Sequence, residues 1–187
     1  MCTGNICRSA LAERLGRAYL NEVLGDAAAQ LRLTSAGTRA VVGSGMHPHS
    51  ALVLAGFGAQ EGDFRAQQLT EAQPAQADLV LTMTRSHRRD VLALAPRGLG
   101  HTFTLREAAA LLPLLPDDDP PGANFAERAR TLVAALASAR SHRQGGEDDD
   151  VRDPIGHPVD VHEEVGEAIV EALLPILRRL ADLKPLR

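Results

Sequence analysis

The chain has 187 residues, a formal net charge of −4 and a 44% hydrophobic composition. It is long enough to bury one full core, and its charge implies neither nucleic acid nor a membrane surface as a partner. No apolar run approaches the roughly 20 residues that span a bilayer. No signal-peptide pattern opens the chain, and its two cysteines share one short loop rather than a secreted disulfide framework, so a cytoplasmic location is expected.

In chain order, Cys2-Thr3-Gly4-Asn5-Ile6-Cys7-Arg8-Ser9 reads as a loop running straight into a helix from Ser9 to about Gly25, with Leu11, Leu15, Ala18 and Leu24 on its apolar face. Leu31–Ser35 reads as a strand, and Pro48–Phe57 as a helix that Gly58 can cap. Thr70 to Gln73 looks like a helix start. Ala77–Met83 is a short apolar run bounded by polar residues, as in a buried parallel strand. Arg85–Leu94 is helical and stops before Pro96; His101–Leu105 is a last strand, and Arg106–Leu112 a helix. Pro116–Pro121, with Asp117, Asp118 and Asp119, opens an insertion leading to an amphipathic helix, Ala123–Ala139. Ser141–Asp150 is Gly-rich and acidic, hence expected to be mobile. A Pro- and Gly-bearing loop, Val151–Gly156, precedes the last helical segment. The alternation predicts an α/β three-layer sandwich, with a central parallel sheet of about four strands and helices on both faces. Residues 1–187 are expected to form one domain with a helical and acidic insertion at about 116–150, and there are no internal repeats.

The chemistry is concentrated at residues 2–9. A cysteine, five intervening residues and an arginine, followed by serine and a helix, describe a loop that grips a phosphate-sized oxyanion. A thiolate nucleophile needs a positive environment, which a helix N-terminus and an arginine supply. The guanidinium of Arg8 can bond two equatorial phosphoryl oxygens at once. Gly4 permits close backbone approach, and Asn5 tolerates the left-handed region. The hydroxyl of Ser9 can point at the Cys2 sulfur and hold it as the anion.

The pattern C-x-G-N-x-C-R-S, opening directly into Leu11–Leu24, resembles the signature of the low-molecular-weight protein tyrosine phosphatases, a family whose fold is shared with some arsenate reductases. Thr34–Thr38, Phe64–Leu69 and Ala77–Thr84 also look like landmarks of that family. The resemblance implies a phosphomonoester hydrolase of protein-tyrosine-phosphatase type, working through a phosphocysteine on Cys2. Arg8 joins it as a catalytic residue, and Thr3, Gly4, Asn5, Ile6, Cys7 and Ser9 bind phosphate. It implies a general acid on an Asp-Pro loop near the C-terminus, a place filled here by Asp153-Pro154. An alkyl or aryl oxygen leaves poorly unless it is protonated as the P–O bond breaks. It further implies no cofactor and no metal. The substrate is expected to be a phosphotyrosine-containing protein or a small aryl phosphate, with a bacterial tyrosine kinase as a partner. Cys7 is either a small packing residue or, as in the family, the partner of a reversible disulfide that shields Cys2.

The chain departs from that pattern in three places. Relatives carry a central strand before the cysteine, whereas here Met1 stands directly before Cys2. The expectation is an initiator assigned inside that strand, a slot in the sheet about 4.8 Å to either side of the gap, and a protein of low stability and activity. Ile155 stands where many relatives have an aromatic residue; it can line an apolar wall but cannot stack. Ala10 replaces a usual proline, which a helix tolerates.

Two other functions fit parts of the pattern: an arsenate reductase using a low-molecular-weight thiol, and a non-catalytic phosphate or phosphoprotein binder. The retained Asp153-Pro154 favours hydrolysis, since arsenate has no aryl leaving group to protonate. Arg65 reads as a surface arginine before a second phosphate ligand, and Met83 as core filler. The aspartate clusters match no metal loop and read as solvated. His47-Pro48-His49 reads as a capping or surface element lacking a third ligand nearby, and His142, His157 and His162 have no assigned role.

Overall fold

Each helix begins where its sequence supplies a cap or an apolar period. The computed structural model describes residues 1–183. Helix α1 (Arg8–Leu24) buries Ala10, Leu11, Leu15 and Leu20. It packs against α7 (Val159–Ala181), whose buried positions Val161, Val165, Ile169, Leu173, Ile176 and Leu180 recur every three or four residues. Helix α2 (Pro48–Gly56) takes proline in its first turn and also packs on α7. Helix α3 (Ala72–Gln76) is a single short turn. Thr84 caps α4 (Arg85–Leu94), and Thr104 and Glu107 form a reciprocal capping box on α5 (Leu105–Leu111). Asn124 caps α6 (Phe125–Ala139).

The sheet is smaller than the sequence predicts. Among the described residues, only β1 (Val80–Thr82) and β2 (Thr102–Thr104) form strands, paired in parallel with Val80 opposite Thr102 and Thr82 opposite Thr104. Beyond β1 the ladder continues as single parallel bridges, Cys2 to Gly37 and Gly37 to Gln68. Met1 joins the two parts: its amino group donates to the Leu81 carbonyl at 2.7 Å, and its carbonyl accepts from the Met83 N–H at 2.9 Å. The parallel sheet and α/β class therefore hold, but the four strands are two strands and two bridges.

The physical reason lies at Leu31–Ser35. This stretch is extended, yet residues 32–35 make no backbone–backbone hydrogen bond among the described residues, because nothing runs beside them to pair with. Between them and β1 lies a cavity of about 470 Å³, lined by Leu31, Leu33, Leu79, Leu81, Phe125 and Leu177 among others. Its lining is mostly apolar core side chains, with Met1 and Ser9 at its border with the cysteine loop.

Two apolar clusters flank the sheet. The larger joins α1, α2, α5, α6 and α7 around Phe103, Leu54 and Ile169. The smaller sets Val91 of α4 against Val80, Ala36 and Leu69. Ser141–Asp150 is not the free acidic loop expected. The Asp149 carboxylate is buried, held by the Arg143 guanidinium and the Gly146 N–H, while Asp150 pairs with Arg85. Asp119 likewise pairs with Arg128. Asp149 and Asp150 tie their loop down, so the solvated reading fails for these two, whereas Asp117, Asp118, Asp119 and Asp148 are exposed as expected.

Candidate active site

The cysteine loop gets its shape from outside. The carbonyls of Cys2, Thr3 and Gly4 accept from the N–H groups of Thr38, Arg39 and Val41 at 2.9–3.0 Å. Those of Ile6 and Cys7 accept from His47 and Leu11 at 2.8 and 2.9 Å. With these carbonyls engaged, the amides of residues 3–9 donate to no acceptor among the described residues. Such a run of free amides at a helix start is an anion cradle. Asn5 adopts φ +55°, the sole positive φ of a non-glycine residue among those described, and so turns the loop where an ordinary side chain would resist.

A buried hydrogen-bond network holds that turn. Asn5 Nδ2 donates to Ser9 Oγ at 2.9 Å and to Ser35 Oγ at 2.8 Å, while Asn5 Oδ1 accepts from the Gln67 N–H. Ser35 Oγ in turn donates to Glu13 at 2.6 Å. At the centre, Cys2 Sγ lies 2.9 Å from Ser9 Oγ, and both residues are buried. The serine–sulfur contact expected from the sequence is thus present.

Arg8 and Asp153, 145 residues apart, meet beside the loop. Arg8 Nη2 donates to Asp153 Oδ2 at 2.6 Å, and Nη1 donates to the Val151 carbonyl at 2.9 Å. The Arg8 side chain is buried, whereas that of Asp153 is 42% exposed. The Asp153-Pro154 loop is anchored from behind: the Val151 N–H donates to the Met83 carbonyl at 2.7 Å, and Asp150 accepts from the Arg85 N–H at the start of α4. The other oxygen of Asp153 accepts from the Ile155 N–H at 3.2 Å, a local turn that Gly156 completes at φ +77°. Ile155 is 49% exposed, an apolar face on the Asp153-Pro154 loop.

Several residues near the loop were not singled out from the sequence. His87 of α4 approaches Thr3 Oγ1 through Nε2 at 2.8 Å and Thr84 Oγ1 through Nδ1 at 2.9 Å. Burial, then the positive charges of Arg8 and the N-terminus, push its pKa down to about 4. It is therefore a neutral hydrogen-bonding post at neutral pH. Cys7 points away from Cys2's serine partner toward Ser50; burial raises its pKa to about 11 against the opposing pull of a Ser50 hydrogen bond. His47 is half-buried and His162 fully buried, and burial lowers the pKa of both. Arg65 is exposed and Met83 buried, as expected; His142 and His157 are exposed. No helix among the described residues is long and apolar enough to cross a membrane.

Comparison with known proteins follows the same geometry. The family model described as low molecular weight phosphotyrosine protein phosphatase matches residues 1–110. The probable low molecular weight protein-tyrosine-phosphatase EpsP of Ralstonia solanacearum is 36% identical over 107 residues, 57% of this chain and 68% of the relative. The low molecular weight protein-tyrosine-phosphatase Wzb of Escherichia coli (strain K12) is 35% identical over 100 residues, 54% of this chain and 63% of its own. Among solved structures, a low molecular weight protein tyrosine phosphatase from T. tengcongensis superposes with TM-score 0.64 at 26% identity, covering 97% of this chain and 94% of that one. The YwlE arginine phosphatase from Geobacillus stearothermophilus gives the same TM-score at 25% identity, covering 97% and 87%. The family model stops short of Asp153, so the place of the Asp153-Pro154 loop at this site rests on its contact with Arg8.

Proposed function

Because this chain belongs to the low molecular weight phosphotyrosine protein phosphatase family, we propose that its phosphatase chemistry runs through Cys2, Arg8 and Asp153. The observation that carries this reading is the loop itself. Its carbonyls are bonded outward and its amides of residues 3–9 are free, directly around a sulfur and a guanidinium that touches the acid loop.

In the first step the Cys2 thiolate attacks phosphorus in line with the leaving oxygen. An S–P bond forms as the P–O bond breaks, and Asp153 gives its proton to the departing oxygen. The loop amides and Arg8 carry the charge on the equatorial oxygens. The arriving phosphoryl group competes with Asp153 for the Arg8 guanidinium, so binding releases the carboxyl from its 2.6 Å contact and frees it to face the leaving group. In the second step the Asp153 carboxylate takes a proton from water, the water oxygen bonds phosphorus, and the S–P bond returns its electrons to Cys2. Ser9 stabilises the sulfur each time it becomes an anion. Thr3, Gly4, Asn5, Ile6 and Cys7 contribute their amides to phosphate.

The substrate on this reading is a phosphotyrosyl protein or small aryl phosphate, made by a tyrosine kinase in the cytoplasm, with Ile155 giving the ring an aliphatic wall. The test is acid-quenched turnover of p-nitrophenyl phosphate and of a phosphotyrosyl peptide, followed by peptide mass spectrometry. A phosphoryl adduct on Cys2 is expected, with turnover abolished in Cys2→Ser. Undiminished turnover in that variant, or an adduct on another residue, would refute the assignment.

A further inference from the structure

The side of the cysteine loop facing away from the anion cradle carries a second constellation. Cys7, His47 and His162 each offer one ligand atom, and these atoms all lie within 4.8 Å of one another. They come from the cysteine loop, the cap of α2 and the first turn of α7, so the fold gathers them and the sequence does not. The His47 and His162 rings stack at 4.8 Å between centroids, and His49 meets both edge-on at 5.3 and 5.2 Å.

We propose that Cys7, His47 and His162 form a Zn²⁺ site, with water in the fourth position. The donor set is one thiol and two imidazoles, the borderline-soft combination that suits tetrahedral zinc. Zinc bonds of about 2.3 Å to sulfur and 2.0–2.1 Å to nitrogen put ligand atoms roughly 3.5 Å apart, so three atoms within 4.8 Å need to converge by about 1 Å.

An independent observation points the same way. His162 is 1% exposed and its Nδ1 sits 2.9 Å from Ser50 Oγ, while its buried Nε2 has no partner at full hydrogen-bond geometry and the ring's other polar contact is with the Pro154 backbone. An imidazole fixed through one nitrogen and unpartnered at the other is the state of a histidine ligand oriented by an outer hydrogen bond. His49 Nδ1 beside it is also buried and unpartnered. Ser50 serves two of the three ligands, since it also hydrogen-bonds the Cys7 thiol. Left without an ion, two rings and a thiol are packed together with polar atoms unsatisfied, which costs free energy. On binding, the Cys7 S–H bond breaks, the Zn–S bond forms, and one proton leaves to solvent. The ion then staples the cysteine loop to α2 and α7.

The experiment uses the full chain under reducing conditions, with Zn²⁺ added while thermal unfolding is followed and Co²⁺ as spectroscopic probe. One equivalent of Co²⁺ is expected to give a thiolate-to-cobalt charge-transfer band, and Zn²⁺ to raise the unfolding temperature. Both effects should persist in Cys2→Ser and vanish in Cys7→Ser. Ser50→Ala should bind about 10–100-fold more weakly while retaining wild-type turnover of p-nitrophenyl phosphate without added metal, and His47→Ala should bind more weakly still. A band lost in Cys2→Ser but kept in Cys7→Ser would place the ion on the nucleophile and overturn the proposal. So would cobalt binding without a thiolate band, or affinity unchanged by His47→Ala. Because the readouts are binding and stability, they fail separately from the hydrolytic reading.

Discussion

Replacing Gly37 by alanine adds a single methyl group, and the structure fixes what that group meets. Its Cβ would lie 2.3 Å from the Thr3 carbonyl oxygen, 3.0 Å from the Asn5 nitrogen and 3.1 Å from the Ala40 Cα, all of them backbone atoms. Ordinary contact begins at 3.4 Å, so Thr3 and residue 37 must part by about 1 Å. Residue 37 cannot retreat cheaply, because its N–H donates to Gln67 and its carbonyl accepts from Leu69 at 2.9 and 2.8 Å. The displacement therefore falls on the cysteine loop. A 1 Å misplacement of reacting groups costs on the order of 100-fold in rate, equivalent to ~2.7 kcal/mol of transition-state stabilisation. The assay is kcat/KM for p-nitrophenyl phosphate, with circular dichroism and a thermal melt to establish that the variant is folded. Gly16→Ala is the control: its Cβ would meet Leu33 Cδ2 at 2.6 Å and Leu177 Cδ1 at 3.2 Å, but both side chains border the 470 Å³ cavity and can give way into it. Removing a helix-interior glycine there is expected to leave activity unchanged and stability equal or up to ~1 kcal/mol higher. A folded Gly37→Ala protein within threefold of wild-type kcat/KM would refute the claim that the loop is moulded by this contact.

Asp153→Ala is expected to slow hydrolysis of alkyl phosphates by about 10²–10⁴-fold and of aryl phosphates with good leaving groups far less; equal losses on both, in parallel kinetics, would remove its role as acid. Fusing an apolar strand of about six residues ahead of Met1 should fill the cavity and replace a buried amino group, whose pKa burial lowers, by an amide. Each buried aliphatic contributes about 1.5–3 kcal/mol against about 1–2 kcal/mol of ordering per residue. With ladder hydrogen bonds added, the melting temperature should rise by ~5 °C or more, and a scrambled polar extension should not reproduce the rise. His87 has a folded pKa of about 4, below its unfolded value of 6.5. The unfolded state therefore binds its proton first, and the associated stability, full above pH 6.5, is lost as pH falls toward 4. Denaturant melts of wild type and His87→Gln should show a shallower acid-side decline in the variant.

What could be read along the chain was what is local. Residues 2–9 carry their chemistry in their own spacing, and Arg85–Leu94 announced its stop before Pro96, appearing with those bounds. The α/β class followed from the alternation of elements. The sheet's extent did not, because a strand exists only with a neighbour, and Leu31–Ser35 has the right residues but no ladder. Mobility of Ser141–Asp150 was inferred from composition, whereas Asp149 and Asp150 find Arg143 and Arg85 in the folded chain. His87 reaches Thr3 across 84 positions and Ser50 reaches His162 across 112, separations that no periodicity can reveal. Cys7, His47 and His162 are brought together in the same way.

The clasp of residues 38–47 on the loop carbonyls has a consequence for redesign. A pocket whose contour is cast by an external mould keeps its form when its own lining is edited, so substitutions at Ile6 or Ile155 should retune which ester enters without rebuilding the cup. Changing the cup's width demands edits to the mould itself, at Thr38, Arg39 and Val41, whose amides each hold one rim position in place.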